Sequence, residues 1–281
     1  LIGGFIEEFV PREKLALILP EGKLRTVFIA AGMGIVFPVC ECAIIPVVRR
    51  LLKKGVPFSA AVAFMLGVPI FNPVVFASTF VAYRFDWTVP ITRISIGYGI
   101  AVVLGALTGF LFKGKDPLLK EAPAPNHTCE PSCPSDHFHG GRRHSRLIGA
   151  LVHAGDDFVD VARFLVIGAF VASLIQSAVD RSTLVVFVDH PLMSLIPMMV
   201  LAIVLNLCSE ADAFVAASFR FVIPLEGQMA FMVLGPMLDI KLIFMYLGVF
   251  RKSVIVVLGS LILIAVLIVM AALSIFGLMA G

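Results

Sequence analysis

Long apolar blocks alternate with short charged connections along most of this chain. Ile94–Phe112, Phe164–Val179, Pro191–Leu207 and Ser253–Met279 carry few or no charges. Each approaches the ~20 residues with which a helix crosses a bilayer. Leu24–Arg50 and Val56–Ala82 are equally apolar but contain helix breakers. A straight helix over the first would measure ~40 Å against a ~30 Å hydrocarbon core, and Pro38 and Pro46 predict that it is broken. In the second, Gly67, Pro69, Asn72 and Pro73 predict another interruption. Tyr83–Arg93 reads as a short loop leading into the plain spanning helix Ile94–Phe112. His144–Arg163, with Asp156, Asp157 and Asp160, reads as an amphipathic surface helix. The pattern predicts an all-α integral membrane protein, a polytopic helix bundle.

The two sides of the chain resemble each other. Ala63-Phe64-Met65 recurs as Ala230-Phe231-Met232, 167 positions on. At the same offset Pro57 meets Pro224, Pro69 meets Pro236, and Asn72 meets Asp239. This predicts two sequence-related halves with broken helices at corresponding places, an arrangement that points to a transport site where the breaks meet. The expected boundaries are a first transmembrane repeat over 1–112, a polar Cys- and His-containing cytoplasmic linker over 113–146, and a second repeat over 147–281. Leu1–Val10 reads as the last turns of a helix, so the leading helix of the first repeat is expected to be truncated.

Composition agrees with a membrane chain. Hydrophobic residues make up 59%, above the 45–50% usual for soluble domains, and the mean hydropathy is +1.02. With 24 Phe but one Trp and three Tyr, an interfacial belt rests on few Trp and Tyr. The net charge of +3 sits in clusters between apolar blocks, which describes topology and excludes a nucleic-acid stripe. By the positive-inside rule the linker and the Arg49–Lys54 cluster lie in the cytoplasm, and Tyr83–Arg93 and Asp180–His190 lie outside. The basic residues of Pro11–Arg25 conflict with that assignment unless a segment is re-entrant. Five cysteines, an odd number, do not form a disulfide framework.

Three polar groups interrupt the apolar blocks. Cys40, Glu41 and Cys42 stand just after Pro38 and before Pro46, and an intramembrane carboxylate is a functional candidate because burying it costs several kcal/mol. The alternative for the cysteines is small buried packing residues. Asn206, Cys208, Ser209, Glu210 and Asp212 end another apolar run. They read as a polar lining that binds substrate or relays protons, or as residues at an aqueous boundary. Pro69, Asn72 and Pro73, with Pro236, Asp239 and Lys241, pair a helix breaker with a polar side chain, and Asp239 and Lys241 are expected to balance each other. In the linker, His127, Cys129, Cys133, His137, His139 and His144 are soft-metal ligands. Their spacing matches a structural zinc site poorly, and a disordered basic linker is the competing reading.

On these segments the chain resembles the ArsP/YraQ-like predicted permeases. The matching stretches are Pro38-Val-Cys-Glu-Cys-Ala-Ile-Ile-Pro46, Lys54-Gly-Val-Pro57, Phe64-Met-Leu-Gly-Val-Pro-Ile-Phe-Asn-Pro73, Leu207-Cys-Ser-Glu-Ala-Asp-Ala-Phe214 and Gly235-Pro-Met-Leu-Asp-Ile-Lys241. The family usually has Gly where this chain has Ala43. The resemblance implies a multi-pass permease of the bacterial cytoplasmic (inner) membrane. Characterised relatives export trivalent organoarsenicals, and a soft arsenic centre prefers thiolates.

The expected function is a secondary transporter, not an enzyme, that moves a small thiophilic or anionic solute through a site between the repeats. Cys40 and Cys42 would contact substrate, Asn72 and Asp239 would line the path, and Glu41, Glu210 and Asp212 are candidates for proton coupling. No cofactor is expected. The partners are the lipid bilayer and the solute, and a homo-oligomer is compatible with this reading. Two alternatives remain: a membrane thiol oxidoreductase using the Cys-x-Cys pair, and a non-transporting subunit of a membrane complex.

Overall fold

A computed structural model describes residues 24–35, 41–53, 55–112 and 191–275, together with Val166, Ile167, Phe170 and Leu174. The described residues form ten α-helices and one short 3-10 turn. In chain order the helices are α1 (Leu24–Gly32), α2 (Glu41–Lys53), α3 (Phe58–Gly67), α4 (Pro73–Ala82), α5 (Thr88–Leu111), α6 (Pro191–Leu205), α7 (Ser209–Ser218), α8 (Leu225–Leu234), α9 (Ile240–Leu247) and α10 (Lys252–Ile275). The expected linker, with His127, Cys129, Cys133, His137, His139 and His144, lies outside the described residues, as do Pro38 and Cys40.

Length separates two kinds of helix. At 24 residues each, α5 and α10 extend ~36 Å and clear a ~30 Å hydrocarbon core. They are also the two described helices long and apolar enough to cross a membrane. The ten-residue helices α3, α4, α7 and α8 extend only ~15 Å.

Burial follows the same division. Nearly every residue of α3 and α8 is buried, so these short helices form the middle of the bundle. On the long helices one face is buried. The other exposes Val103, Leu107 and Phe110 on α5, and Val256, Ile264 and Ile268 on α10. A helix that is apolar on its exposed face belongs in lipid.

Packing has two levels. α1, α3 and α5 touch one another, as do α6, α8 and α10. Between these groups α5 packs on α8 and α10, α4 packs on α7, and α2 packs on α9. Close approach of α1 and α3 depends on Gly67, because a Cβ there would lie 2.6 Å from the carbonyl oxygen of Ala31 and 2.8 Å from its Cα. Small residues at a crossing are how membrane helices gain van der Waals contact.

Two expectations are corrected. Pro46 does not interrupt its helix, since α2 runs through it from Glu41 to Lys53. It lies early in the helix, so only the bond to the carbonyl of residue 42 is forfeited. Arg93 is not in a loop either. Helix α5 begins at Thr88, with Asp86 Oδ1 accepting the Thr88 N–H at 2.8 Å, and Pro90 fits the first turn, where its missing N–H has no partner to lose. Arg93 therefore lies inside α5 and is fully buried. It drops out of the positive-inside count, leaving Arg84 as the basic residue of that loop.

Candidate functional site: a buried ion network

The helix starts deliver the polar side chains. Asn72 is the N-cap of α4, and its Oδ1 accepts the Val74 N–H at 2.9 Å. Asp239 is the N-cap of α9, with Oδ1 accepting the Leu242 N–H at 2.5 Å. Asn and Asp cap well because a short side-chain oxygen reaches the unpaired amides of the first turn. Helix α6 stops at Leu205 because Asn206 turns left-handed, with φ of 50°, a conformation Asn tolerates better than most residues. Cys208 then caps α7 with extended backbone and no side-chain bond to the helix.

Glu41, in the first turn of α2, and Lys241, in the first turn of α9, form the centre. Lys241 Nζ lies 3.2 Å from Glu41 Oε1 and 3.7 Å from Asp239 Oδ2. A lysine opposes the dipole at a helix start, so its place there rests on these carboxylates. Ser209 Oγ reaches Glu41 Oε2 at 3.5 Å. With its amide nitrogen turned towards Asp239, Asn206 donates to Oδ2 at 2.7 Å. Glu41, Ser209 and Asp239 are buried, as is Lys241 at 6% exposure. The sequence expectation paired Lys241 with Asp239 alone. The shorter contact is to Glu41, 200 residues away in the chain.

Arg93 extends the network. One terminal nitrogen donates to Thr79 Oγ1 at 2.8 Å and the other to the carbonyl of Ser209 at 2.9 Å. The same residue, Ser209, thus touches Glu41 through its hydroxyl and Arg93 through its carbonyl. Asp212, on the same helix as Ser209, is also buried and carries the charge opposite to that of Arg93. Tyr83 Oη donates to Gln228 Oε1 at 2.7 Å, and Gln228 Nε2 donates to the carbonyl of Ile223, tying the α4–α5 and α7–α8 connections together.

The anticipated residues are therefore distributed. Glu41, Asn206, Ser209, Asp239 and Lys241 come together directly, and Asp212 is buried one turn along α7 from Ser209. Glu210 is half-buried beside them, and Cys208 is exposed at the start of α7. Pro69 and Pro236 lie buried in the connections before the Asn72 and Asp239 caps, and Pro73 opens α4. The Cys42 side chain lies outside the described residues, so the thiol cluster remains an expectation. Arg93, Thr79, Tyr83 and Gln228 were not anticipated. The available signal was an arginine in a β-branched, apolar stretch directly after an Asp-x-Thr helix start.

These features define a helical membrane protein with a buried ionic centre. The model of the ArsP_1 family, described as predicted permease, matches residues 1–275, and the chain belongs to that family. The UPF0718 protein YcgR of Bacillus subtilis is 40% identical over 267 residues, covering 95% of this chain and 87% of the relative. A Streptococcus mutans protein named as a subunit of a two-component membrane permease complex is 34% identical over 253 residues, covering 90% and 81%. The UPF0718 protein YraQ of Escherichia coli is 22% identical over 107 residues, covering 38% and 30%. No solved structure matches.

Proposed function

We propose that this chain is a secondary transporter of the inner membrane, built from two related halves, whose solute passes the Glu41–Lys241 centre between them. The observation that carries this is the burial of a charge pair from α2 and α9 within a largely apolar bundle. Such a pair is costly in stability and has little structural value that apolar packing would not supply; intramembrane ionisable groups mark solute and proton pathways. Family membership supports the same reading. Three helix starts carrying Asn72, Ser209 and Asp239 also follow described interruptions of the chain, the form taken by binding sites in repeat-built transporters.

The charge balance narrows the solute. Within this network the buried carboxylates Glu41, Asp212 and Asp239 outnumber the buried cations Arg93 and Lys241, which disfavours a free anion as cargo and favours a neutral solute or one moving against protons. A trivalent organoarsenical fits as a neutral, thiophilic solute, with Cys40, Cys42 and Cys208 as its contacts. The test is flux of such a compound into proteoliposomes. Uptake by the parent, lost in folded Glu41→Gln, supports the reading. Equal flux with empty liposomes removes the arsenical, and unchanged flux in Glu41→Gln removes Glu41.

The Streptococcus relative favours a second element: a partner subunit in the membrane. Flux by the purified chain alone would rule out an obligatory partner.

A further inference from the structure

We infer that Asp212 is the site of one exchangeable proton and that Arg93 is its counter-ion, a positioning residue that sets when the proton binds. This rests on the permease reading and names the group that would couple it. Two buried polar atoms of the described residues lack hydrogen-bond partners: Arg93 Nε and Asp212 Oδ2. They belong to the two residues that oppose each other in charge. A buried carboxylate oxygen without a donor is costly, and a proton on that oxygen removes the charge, the larger part of the cost.

Asp212 stands in the first turn of α7, whose positive end favours the carboxylate, but the immediate neighbours of Oδ2 favour the protonated species. A Cβ placed on Gly235 would lie 2.8 Å from Asp212 Oδ2 and 3.3 Å from the carbonyl oxygen of Phe231. Oδ2 therefore faces the C-terminal turn of α8, the negative end of that helix, where a carboxylate is disfavoured and a hydroxyl is not. The absence of a side chain at Gly235 leaves room for it.

The charges around Asp212 come from several elements. Arg93 on α5 attracts the ionised form, Glu41 on α2 and Asp239 ahead of α9 oppose it, and Lys241 on α9 favours it. Glu210, half-buried nearby, acts on Arg93 in turn. α4, packed on α7, contributes the Thr79 hydroxyl that accepts from Arg93. α8 contributes backbone at this end, its Glu226 standing in the opposite, first turn.

The step balances simply. Among the fully buried groups of the network, Glu41, Asp212 and Asp239 face Arg93 and Lys241, an excess of one negative charge when all are ionised, with half-buried Glu210 at its edge. One proton from the aqueous phase binds Oδ2 and cancels that excess. Its departure to the other aqueous phase restores the excess. Because Arg93 also holds the Ser209 carbonyl and Thr79, the proton changes the charge balance on α7 and α4 together. That is the coupling a proton-driven carrier requires.

The test is an infrared pH titration of purified protein in detergent, reading the C=O stretch of protonated carboxyl groups, with the proton itself as ligand. The parent is expected to show a titrating band that is absent in Asp212→Asn. In Arg93→Gln its midpoint should move up by about one pH unit or more, a tenfold shift, because a positive neighbour stabilises the ionised carboxylate. Arg93→Lys should fall between. A band unaltered in Asp212→Asn, a band insensitive to pH, or an unmoved midpoint in Arg93→Gln would overturn the assignment. Should Arg93→Gln fail to fold, the neutral Arg93→Met carries the comparison: a midpoint displaced upward supports the pairing and an unmoved one contradicts it. The measurement needs no solute, so its failure leaves the permease reading standing. A normal titration in a chain without flux would count against that reading instead.

Discussion

Lys241 Nζ stands 3.2 Å from Glu41 Oε1, although 200 residues separate the two along the chain. The pair joins α2 to α9 where each helix begins, and both side chains are almost wholly withdrawn from solvent, at 7% and 2% exposure. Removing one member strands the other. Glu41→Gln is therefore expected to lower stability by ~3 kcal/mol, within the range for breaking a buried pair. Glu41→Gln combined with Lys241→Met should recover most of that loss and should not recover transport. Thermal unfolding in detergent and a flux assay on the same preparations separate the two effects. Full transport in the double variant would make the pair purely structural.

Asp239 has two jobs, capping α9 and facing Lys241, and substitution can divide them. Asp239→Asn keeps an oxygen for the Leu242 N–H and removes the charge. Asp239→Ala removes both and should cost a further ~1 kcal/mol, the usual worth of an N-cap. Comparable melting temperatures for the two variants would show that the cap contributes nothing.

The Tyr83–Gln228 hydrogen bond is buried and bridges two connections. Tyr83→Phe should cost ~1 kcal/mol, the net value of a buried hydrogen bond. A double-mutant cycle with Gln228→Leu should show coupling of similar size. Additive losses would mean that the bond is not formed in the protein in its membrane mimic.

Close helix crossing makes a steric prediction. Gly67→Leu should prevent folding, because its Cβ would already collide with the backbone of Ala31. Gly99→Leu, whose Cβ meets nothing within 4 Å, should express and melt like the parent. Size-exclusion profiles of the two proteins decide this. Equal behaviour would contradict the α1–α3 crossing.

Much of this architecture was legible in the sequence, because hydrophobic blocks and prolines act locally. The Asn72 and Asp239 positions stood out as polar residues after breakers, and both are N-caps. What sequence could not supply was tertiary. Pro46 looked like a break, yet an early proline forfeits a single helical bond and packing carries the helix onward. Arg93 looked like a loop residue because charge in an apolar stretch reads as a boundary. Its burial depends on Thr79 and Ser209, one of them 116 residues away. Lys241 was paired with its neighbour Asp239, since no local signal indicates Glu41. Sequence supplied the polar residues at helix starts, and packing decided which of them meet.

The central claim is that solute passes through the space around these helix starts, which must therefore admit water from at least one side. Cys208, the N-cap next to Ser209, reports on it. In a variant with Cys40, Cys42, Cys129 and Cys133 replaced by Ser, Cys208 is labelled in sided membrane vesicles with a charged, membrane-impermeant thiol reagent and, in parallel, with a lipid-soluble one. The account predicts that the charged reagent reacts with Cys208 from at least one side of the membrane. Reaction with the lipid-soluble reagent alone would contradict it, placing Cys208 against lipid or in a sealed core.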